Sequence, residues 1–375
     1  MLKRISGKII IFLFLFNVFV VARTKMTTLP VREDISININ NEGYSLVEEE
    51  RIINLQKGTN RLDFSWKGVS INPDSIFLQI LDHPDMVRLI STEYPPGENA
   101  IVMQVYSEKP FQEKMRITYL LSGLRSVYSY YSVAENSEKN MNFKGHLRLF
   151  NHSGEDFKKA RIRVTGQKPV KKDLEAGESK KFLFRQSKKL AIKKVFYWDS
   201  KKQPHDPEKT RQTVGIPMYY EIENSEANGL GDYPVPYGKM RIYQKDKKGE
   251  TAFIGEDWLK YTPINEKFKL YLGDSRDISV RRRKLSSKNT TDRTNSYNNI
   301  VLYHKDEKYR YDIKNFKKER TRLTIVDYFD GFWVITNNTH KFEKKDAKTL
   351  EFKLDMAPNE KLQLDFEISF KNLRR

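Results

Sequence analysis

Short stretches in which every second residue is apolar recur along the whole chain. Residues 35–39, 161–164, 267–272, 350–354 and 361–370 each place alternate side chains on one face. That period of two is typical of half-buried β-strands. Helical periodicity is confined to the N-terminus, so the pattern predicts an all-β protein.

Turn-forming residues separate these stretches. Glycine, proline or asparagine stands in segments 56–59, 94–97, 175–178, 246–249 and 357–359, where each allows the chain to reverse. Strands that recur about every ten residues between such turns favour β-sandwiches. We expect tandem antiparallel sandwiches of the immunoglobulin-like type.

The same pattern suggests how the chain is divided. We expect an N-terminal sandwich domain at residues 23–110 and a second β-rich region at residues 111–375. The segment near residues 200–211 has the composition of a linker, and it is a candidate divide of the second region into two sandwiches. Residues 285–299 are rich in Ser, Thr, Asn and Lys, and we predict a second loose segment there.

The N-terminus is basic and is followed by an apolar run. Lys3, Arg4 and Lys8 precede residues 9–22, which are interrupted only by Asn17. This run is shorter than the roughly 20 residues of a membrane-spanning helix. It therefore predicts a signal peptide at residues 1–22 that is cleaved after Ala22. The alternative is an uncleaved anchor, and in either case we expect an exported protein, periplasmic or extracellular.

The chain contains no cysteine, although exported proteins often use disulfides. This excludes a disulfide framework, a thiolate nucleophile, a Cys-ligated metal and a lipid-modified cysteine. The hydrophobic fraction is only 38%, but 20 Tyr and 22 Phe supply bulky rings for a core. We expect the stability of the protein to come from buried apolar surface.

The chain is strongly basic, and two segments hold the whole excess. The formal net charge is +19. Residues 158–211 carry 18 Lys or Arg against 6 acids, and residues 281–322 carry 14 against 5. Basic and apolar residues interleave there, which predicts strands with one wet, basic face that attracts an anionic polymer. The competing interpretation is that the lysines only keep strands soluble and edges unpaired. The residues that we predict to contact an anionic ligand are Lys180, Lys181, Lys193, Lys194, Arg281, Arg282 and Arg283.

No motif indicates catalysis. The six histidines lack the spacing of metal ligands, and no G-x-S-x-G sequence occurs. Adjacent acids, as at residues 155–156 and 256–257, point to opposite faces of a strand, which favours a structural role. We expect no catalytic residue, no metal and no cofactor. The alternative is a glycan-directed hydrolase of the cell envelope with Asp274 and Asp277, or Glu256, as its acids.

Four blocks of the second region resemble a known bacterial family. They are ITYLLSGL at residues 117–124, the segment at 149–164, VPYGKMRIY at 235–243, and the segment at 253–274. In this order they are similar to the family catalogued as domain of unknown function 4139, which includes mucoidy-inhibitor-like proteins. The resemblance implies an exported, β-rich, often envelope-associated protein with no assigned reaction. This chain departs from the family pattern by having Val127 where a tryptophan is expected, and by lacking the coiled-coil insertion.

Together these observations predict an exported, envelope-associated binding or scaffold protein without catalysis. Its partner would be an anionic envelope polymer or an envelope protein, with peripheral contact to a membrane surface as a further option. Nucleic acid is the usual partner of a basic protein, but export argues against it.

Overall fold

The computed structural model describes residues 27–40, 43–164, 167–202, 215–294, 296–297 and 300–374. Nearly all secondary structure in these ranges is β-strand, and the helical elements are three 3-10 turns at Pro73–Ser75, Ser200–Lys202 and Glu226–Asn228. The prediction of an all-β protein is confirmed. The predicted signal peptide lies outside the described residues, as does most of the predicted divide near 200–211. Within the described ranges, no helix is long and apolar enough to cross a bilayer.

Twenty-five strands follow one another along the described chain. The first ten are β1 Thr27–Thr28, β2 Asp34–Ile39, β3 Tyr44–Leu55, β4 Gly58–Ser65, β5 Phe77–Ile80, β6 Val87–Glu93, β7 Ala100–Ser107, β8 Phe111–Ser122, β9 Leu124–Ala134 and β10 Asn140–Asn151. The next eight are β11 Phe157–Val164, β12 Val170–Leu174, β13 Ser179–Ala191, β14 Lys193–Asp199, β15 Ile216–Glu223, β16 Gly238–Lys245, β17 Thr251–Leu259 and β18 Lys267–Ser275. The last seven are β19 Ile278–Thr294, β20 Ile300–Asn315, β21 Thr321–Tyr328, β22 Phe332–Asn338, β23 Phe342–Lys344, β24 Thr349–Met356 and β25 Lys361–Arg374.

The strands form five sheets, which we name A to E. Their strand orders are β1-β4-β7-β6 in sheet A, β12-β11-β2-β3-β8-β5 in sheet B, β13-β10-β9-β16-β17 in sheet C, β18-β15-β14-β21-β24-β23 in sheet D and β19-β20-β25-β22 in sheet E. Most neighbours are antiparallel, as predicted. Four pairs are parallel instead: β1 with β4, β2 with β11, β9 with β16 and β14 with β21. Parallel neighbours need a long connection between them, so these pairs join strands that are distant in sequence.

Buried side chains gather in two cores. The first core takes residues from sheets A, B and C and from β15 and β18 of sheet D. The second core lies between sheets D and E and includes Trp333 and Tyr311, both fully buried. Each large side chain of this kind contributes about 2 kcal/mol through burial. The arrangement is β-sandwich-like, and it is held without any cysteine.

Strand pairing crosses the division that we predicted at residue 110. β8 begins at Phe111 and pairs with β3 along its whole length. β2 pairs with β11, which begins at Phe157. Strands from both sides of residue 110 therefore share sheet B. The division of the chain into domains stays a prediction.

The prediction of a loose segment at residues 285–299 is wrong for residues 285–294, which form a strand. Residues 285–294 belong to β19, and residues 286–291 pair with residues 308–303 of β20 in continuous register. The polar composition misled the prediction, because Ser, Thr and Asn are usual in loops. Here the threonines are β-branched and favour a strand, and the pairing with β20 extends it.

Candidate functional site

One face of sheet C is turned to solvent. Side chains alternate along its five strands, so that residues such as Tyr130, Phe143, Met240 and Ile242 enter the first core. Their neighbours point the other way, as Arg125, Val127, Ser129 and Tyr131 do along β9. The sequence of β10 continues this pattern with Lys144, His146, Arg148 and Phe150 on the outward side. The wet face therefore combines cations and rings on neighbouring strands.

Cations dominate this surface, which we call the basic face. Glu256 is the one acid among the outward-pointing residues of the five strands. Strand pairing places Arg148 opposite Lys181 of β13, and Lys144 opposite Tyr131 of β9. The outward-pointing cations that we include in the basic face are Arg125, Lys144, Arg148, Lys181, Lys239 and Arg241.

Large apolar side chains are exposed on the same surface. Trp258 and Phe253 of β17 are 51% and 58% exposed, and Tyr237, just before β16, is 59% exposed. The Tyr237 and Trp258 rings stack with centroids 5.1 Å apart and planes at 7°. The Tyr243 ring lies 4.6 Å from Tyr131 and 5.3 Å from Phe253, measured between centroids. Exposed rings in such numbers on one sheet mark an interaction surface rather than scattered surface residues.

Cations and rings are in contact with one another. The guanidinium carbons of Arg125 and Arg148 lie 4.6 and 4.7 Å from the centroid of the Phe150 ring. The Lys239 ammonium lies 5.2 Å from the Trp258 ring. Such contacts hold long side chains extended over the sheet. Arg125, Arg148 and Lys239, three of the six cations of the basic face, are therefore held in place over rings.

The electrostatics of this surface favour an anion. Partial burial lowers the pKa of His146, and the nearby charges of Lys181 and Lys144 lower it further. Uncompensated positive charge around an imidazole disfavours its protonated form. Hydrogen bonding from Lys239, together with the charges of Lys239 and Arg241, lowers the pKa of Glu256. The carboxylate is thus kept ionised beside its two cations.

The structure separates the seven cations that we predicted as the contact. Lys180 and Lys181 lie in sheet C, Lys193 and Lys194 in sheet D, and Arg281, Arg282 and Arg283 in sheet E. Four of them are held by acids of this chain, in the pairs Lys180–Glu178 at 2.9 Å, Lys194–Glu138 at 2.8 Å, Arg282–Asp327 at 2.7 Å and Arg283–Asp312 at 2.6 Å. Lys181 is the member that lies on the basic face.

The prediction missed most of the basic face. Arg125, Lys144 and Arg148 precede the first charge-rich segment, and Lys239 and Arg241 lie between the two segments. Counting charge along the sequence therefore could not single them out. The alternation in residues 144–150, where a basic residue occupies every second position up to Arg148, is the signal that was available.

Two of the three carboxylates of the alternative hydrolase hypothesis, those of Glu256 and Asp274, have local partners. Glu256 bonds Lys239 at 2.6 Å and Arg241 at 3.2 Å, and its lowered pKa is the opposite of what a general acid needs. Asp274 accepts a hydrogen bond of 2.9 Å from the Tyr271 hydroxyl. Asp277 lies in the turn before β19, where its backbone carbonyl accepts from Phe316 N–H at 2.8 Å. Among the residues that the structure describes, no three His, Asp or Glu are grouped to hold a metal ion.

No protein-family model matches the chain, and no curated protein is significantly similar to it. The resemblance to the family of unknown function stays a prediction that depends on its four sequence blocks.

Proposed function

We propose that this is an exported, envelope-associated binding protein without catalytic activity, and that it holds an anionic polymer on the basic face of sheet C. The observation that supports this most strongly is the combination on one face of sheet C of six outward-pointing cations, five exposed or half-buried rings with the Tyr237 ring beside them, and a single acid. Export rests on the basic and apolar N-terminal pattern of the sequence. We further propose that the sheets are arranged as tandem immunoglobulin-like sandwiches, an arrangement supported by the two separate cores.

An acidic polysaccharide fits this surface better than a polymer with phosphates alone. Sugar rings present flat apolar faces that can lie on Trp258, Tyr131 or Phe253. Their carboxylates can pair with the arginines, whose planar groups suit bidentate contacts. A phosphate polymer without rings would pair with the cations but would make no stacking contact with the aromatic side chains. The proposed ligand class is therefore a polysaccharide that carries uronic acids.

The test is retention of the full chain on immobilised polygalacturonate over a range of salt concentrations. We expect retention at low salt that is lost as salt rises, because exposed charges are screened. A variant with Arg125→Glu, Arg148→Glu and Lys181→Glu should bind about tenfold or more weakly, since each exposed pair contributes up to about 1 kcal/mol. Unchanged retention of this variant would contradict the proposal.

A matched control has the same net charge as the test variant but carries its substitutions outside the basic face. Lys57, Lys67 and Lys109 are exposed and lie outside sheet C. Changing all three to glutamate removes as much positive charge as the test variant does. The control should be retained like the wild type if the location of the charge matters. Equal loss in both variants would indicate unspecific attraction by net charge.

A further inference from the structure

β19 and β20 form a long hairpin that extends beyond the second core. From Arg283 to Thr294, every residue of β19 is exposed. β20 is paired on both sides, with β19 and with β25 as far as Leu302. β19 is an edge strand of sheet E, and no described strand pairs with its outer side. Its backbone N–H and C=O groups on that side are thus open to a further strand.

Part of this edge is regular enough to pair. Register shifts occur between residues 284 and 286 and between residues 291 and 294, and such irregularities interrupt a ladder. Between them, residues 286–291 are paired with β20 without a shift. This six-residue run contains no proline and one charge, Lys288. It is about the length of an ordinary strand.

The net positive charge of the hairpin determines which kind of strand would pair favourably with β19. β19 and β20 together carry ten Lys or Arg and four Asp or Glu, which gives a net charge of +6. Three cations on β19, namely Arg281, Lys288 and Arg293, form no ion pair among the described residues, although Arg281 and Lys288 stand opposite Asp312 and Asp306 of β20 in the strand pairing. A second copy of β19 would bring like charges together, which is unfavourable across a strand pair. A strand rich in glutamate or aspartate would be favoured.

We propose that the outer edge of β19 accepts an acidic, extended segment of a partner protein as an additional strand of sheet E. Backbone hydrogen bonds along residues 286–291 would supply binding, and acidic side chains opposite Lys288 and near Arg293, just beyond the run, would select the partner. This site lies on a different sheet from the basic face, and it does not depend on the proposed function.

A synthetic peptide that alternates glutamate with valine is the probe, tested against the full chain by isothermal titration. We expect it to bind about tenfold or more tightly than the same peptide with prolines in place of the valines, because proline cannot donate to the ladder. Amide exchange within residues 286–291 should slow by a similar factor on binding. If both peptides bind equally, or if these amides are not protected, charge alone acts and the proposal is wrong.

Two variants test the edge itself. Neighbouring residues in a strand direct their N–H groups to opposite sides, so one of Asn289→Pro and Thr290→Pro removes an outward donor and leaves the pairing with β20 intact. The variant that removes the outward donor should weaken peptide binding about tenfold, with the unfolding midpoint unchanged because its pairing with β20 is kept and its side chain is exposed. Wild-type affinity in both variants would overturn the proposal. The double variant Lys288→Glu and Arg293→Glu should lose affinity for the acidic peptide and should not lose stability. Unchanged affinity of this double variant would also contradict the proposal.

Discussion

The guanidinium of Arg148 lies 4.7 Å from the centre of the Phe150 ring, two residues further along the same outward face of β10. Across the strand pair, Arg148 stands opposite Lys181 of β13 and Val127 of β9. One arginine thus links a ring, a second cation and an apolar side chain. This local arrangement is repeated across sheet C, where Lys239 of β16 lies over Trp258 of β17. A polymer that carries both negative charge and apolar faces can contact the cations and the rings of sheet C at the same time.

The rings should distinguish a polysaccharide from other polyanions. Trp258→Ala removes an exposed ring that stacks on Tyr237. We expect affinity for polygalacturonate to fall about fivefold to tenfold, since an aromatic contact contributes about 1 kcal/mol. Affinity for inorganic polyphosphate, which has no apolar face, should not change. Titration with both polymers checks this, and equal losses for the two would argue against stacking.

A buried carboxylate in sheet B should make one arginine indispensable for stability. Glu49 is fully buried and is paired with Arg32 at 2.5 Å and with Arg51 at 2.9 Å. Arg32→Met leaves this charge undercompensated, which should cost about 3 kcal/mol or more in the free energy of unfolding. The control is Arg320→Met, which breaks an exposed pair with Asp355 and should cost less than about 1 kcal/mol. Similar losses in both, measured by urea unfolding, would contradict the account of Glu49.

Stability should fall in acid partly because of Glu307. Burial raises the pKa of this carboxyl, but hydrogen bonds from Lys284, Lys305 and Tyr309 outweigh it and hold the pKa at about 2. The folded pKa lies below the value of an unfolded glutamate. The contribution of Glu307 is therefore fully present above about pH 4.5 and is lost as pH falls towards 2.

Glu307→Gln tests this directly. Glutamine cannot pair with Lys284 and Lys305 as an ion, so the variant should be less stable than the wild type at pH 7 by about 1–3 kcal/mol. The difference should shrink between pH 4.5 and pH 2. Urea unfolding at several pH values measures it. A difference that does not depend on pH would show that charge at Glu307 is not responsible.

A close backbone approach makes Gly154 sensitive to substitution. Its φ is +84°, and a Cβ atom there would lie 2.1 Å from the carbonyl oxygen of Gly68. Gly154→Ala should cost about 2 kcal/mol or more, because it adds a clash with backbone to an unfavourable φ. Gly177 has a φ of +76° and open space around its Cβ position, so Gly177→Ala should show the cost of φ alone. Equal unfolding midpoints for the two variants would contradict the role of the Gly68 contact.

The sequence predicted strands far better than it predicted their partners. Alternation at residues 35–39 and 161–164 indicated the strands β2 and β11, because one buried face leaves a local signal. It held no information that these two strands pair side by side in sheet B, since pairing depends on contacts between distant segments. The prediction of a loose segment at 285–299 was wrong because composition was given more weight than strand propensity.

The same limit applied to the candidate site. Lys181 was found because it lies in a charge-rich segment, whereas Lys239 and Arg241 lie where the sequence is less basic. The parallel pairing of β16 with β9 brings these two cations beside Ser129 and Tyr131. Charge runs also predicted Arg282 as a contact, although its guanidinium is held by Asp327 and lies over the Tyr309 ring. Local sequence does not reveal that the cations of the basic face lie on neighbouring strands, nor that Arg282 is paired with Asp327.

The most direct test of the central claim is a lysine acetylation footprint of the full chain, measured by mass spectrometry with and without polygalacturonate at low salt. We predict that Lys144, Lys181 and Lys239 on the basic face are protected by the polymer, while Lys57, Lys67 and Lys109 react at their original rates. Protection spread evenly over all six lysines, or absent from the first three, would contradict the assignment of sheet C as the binding face.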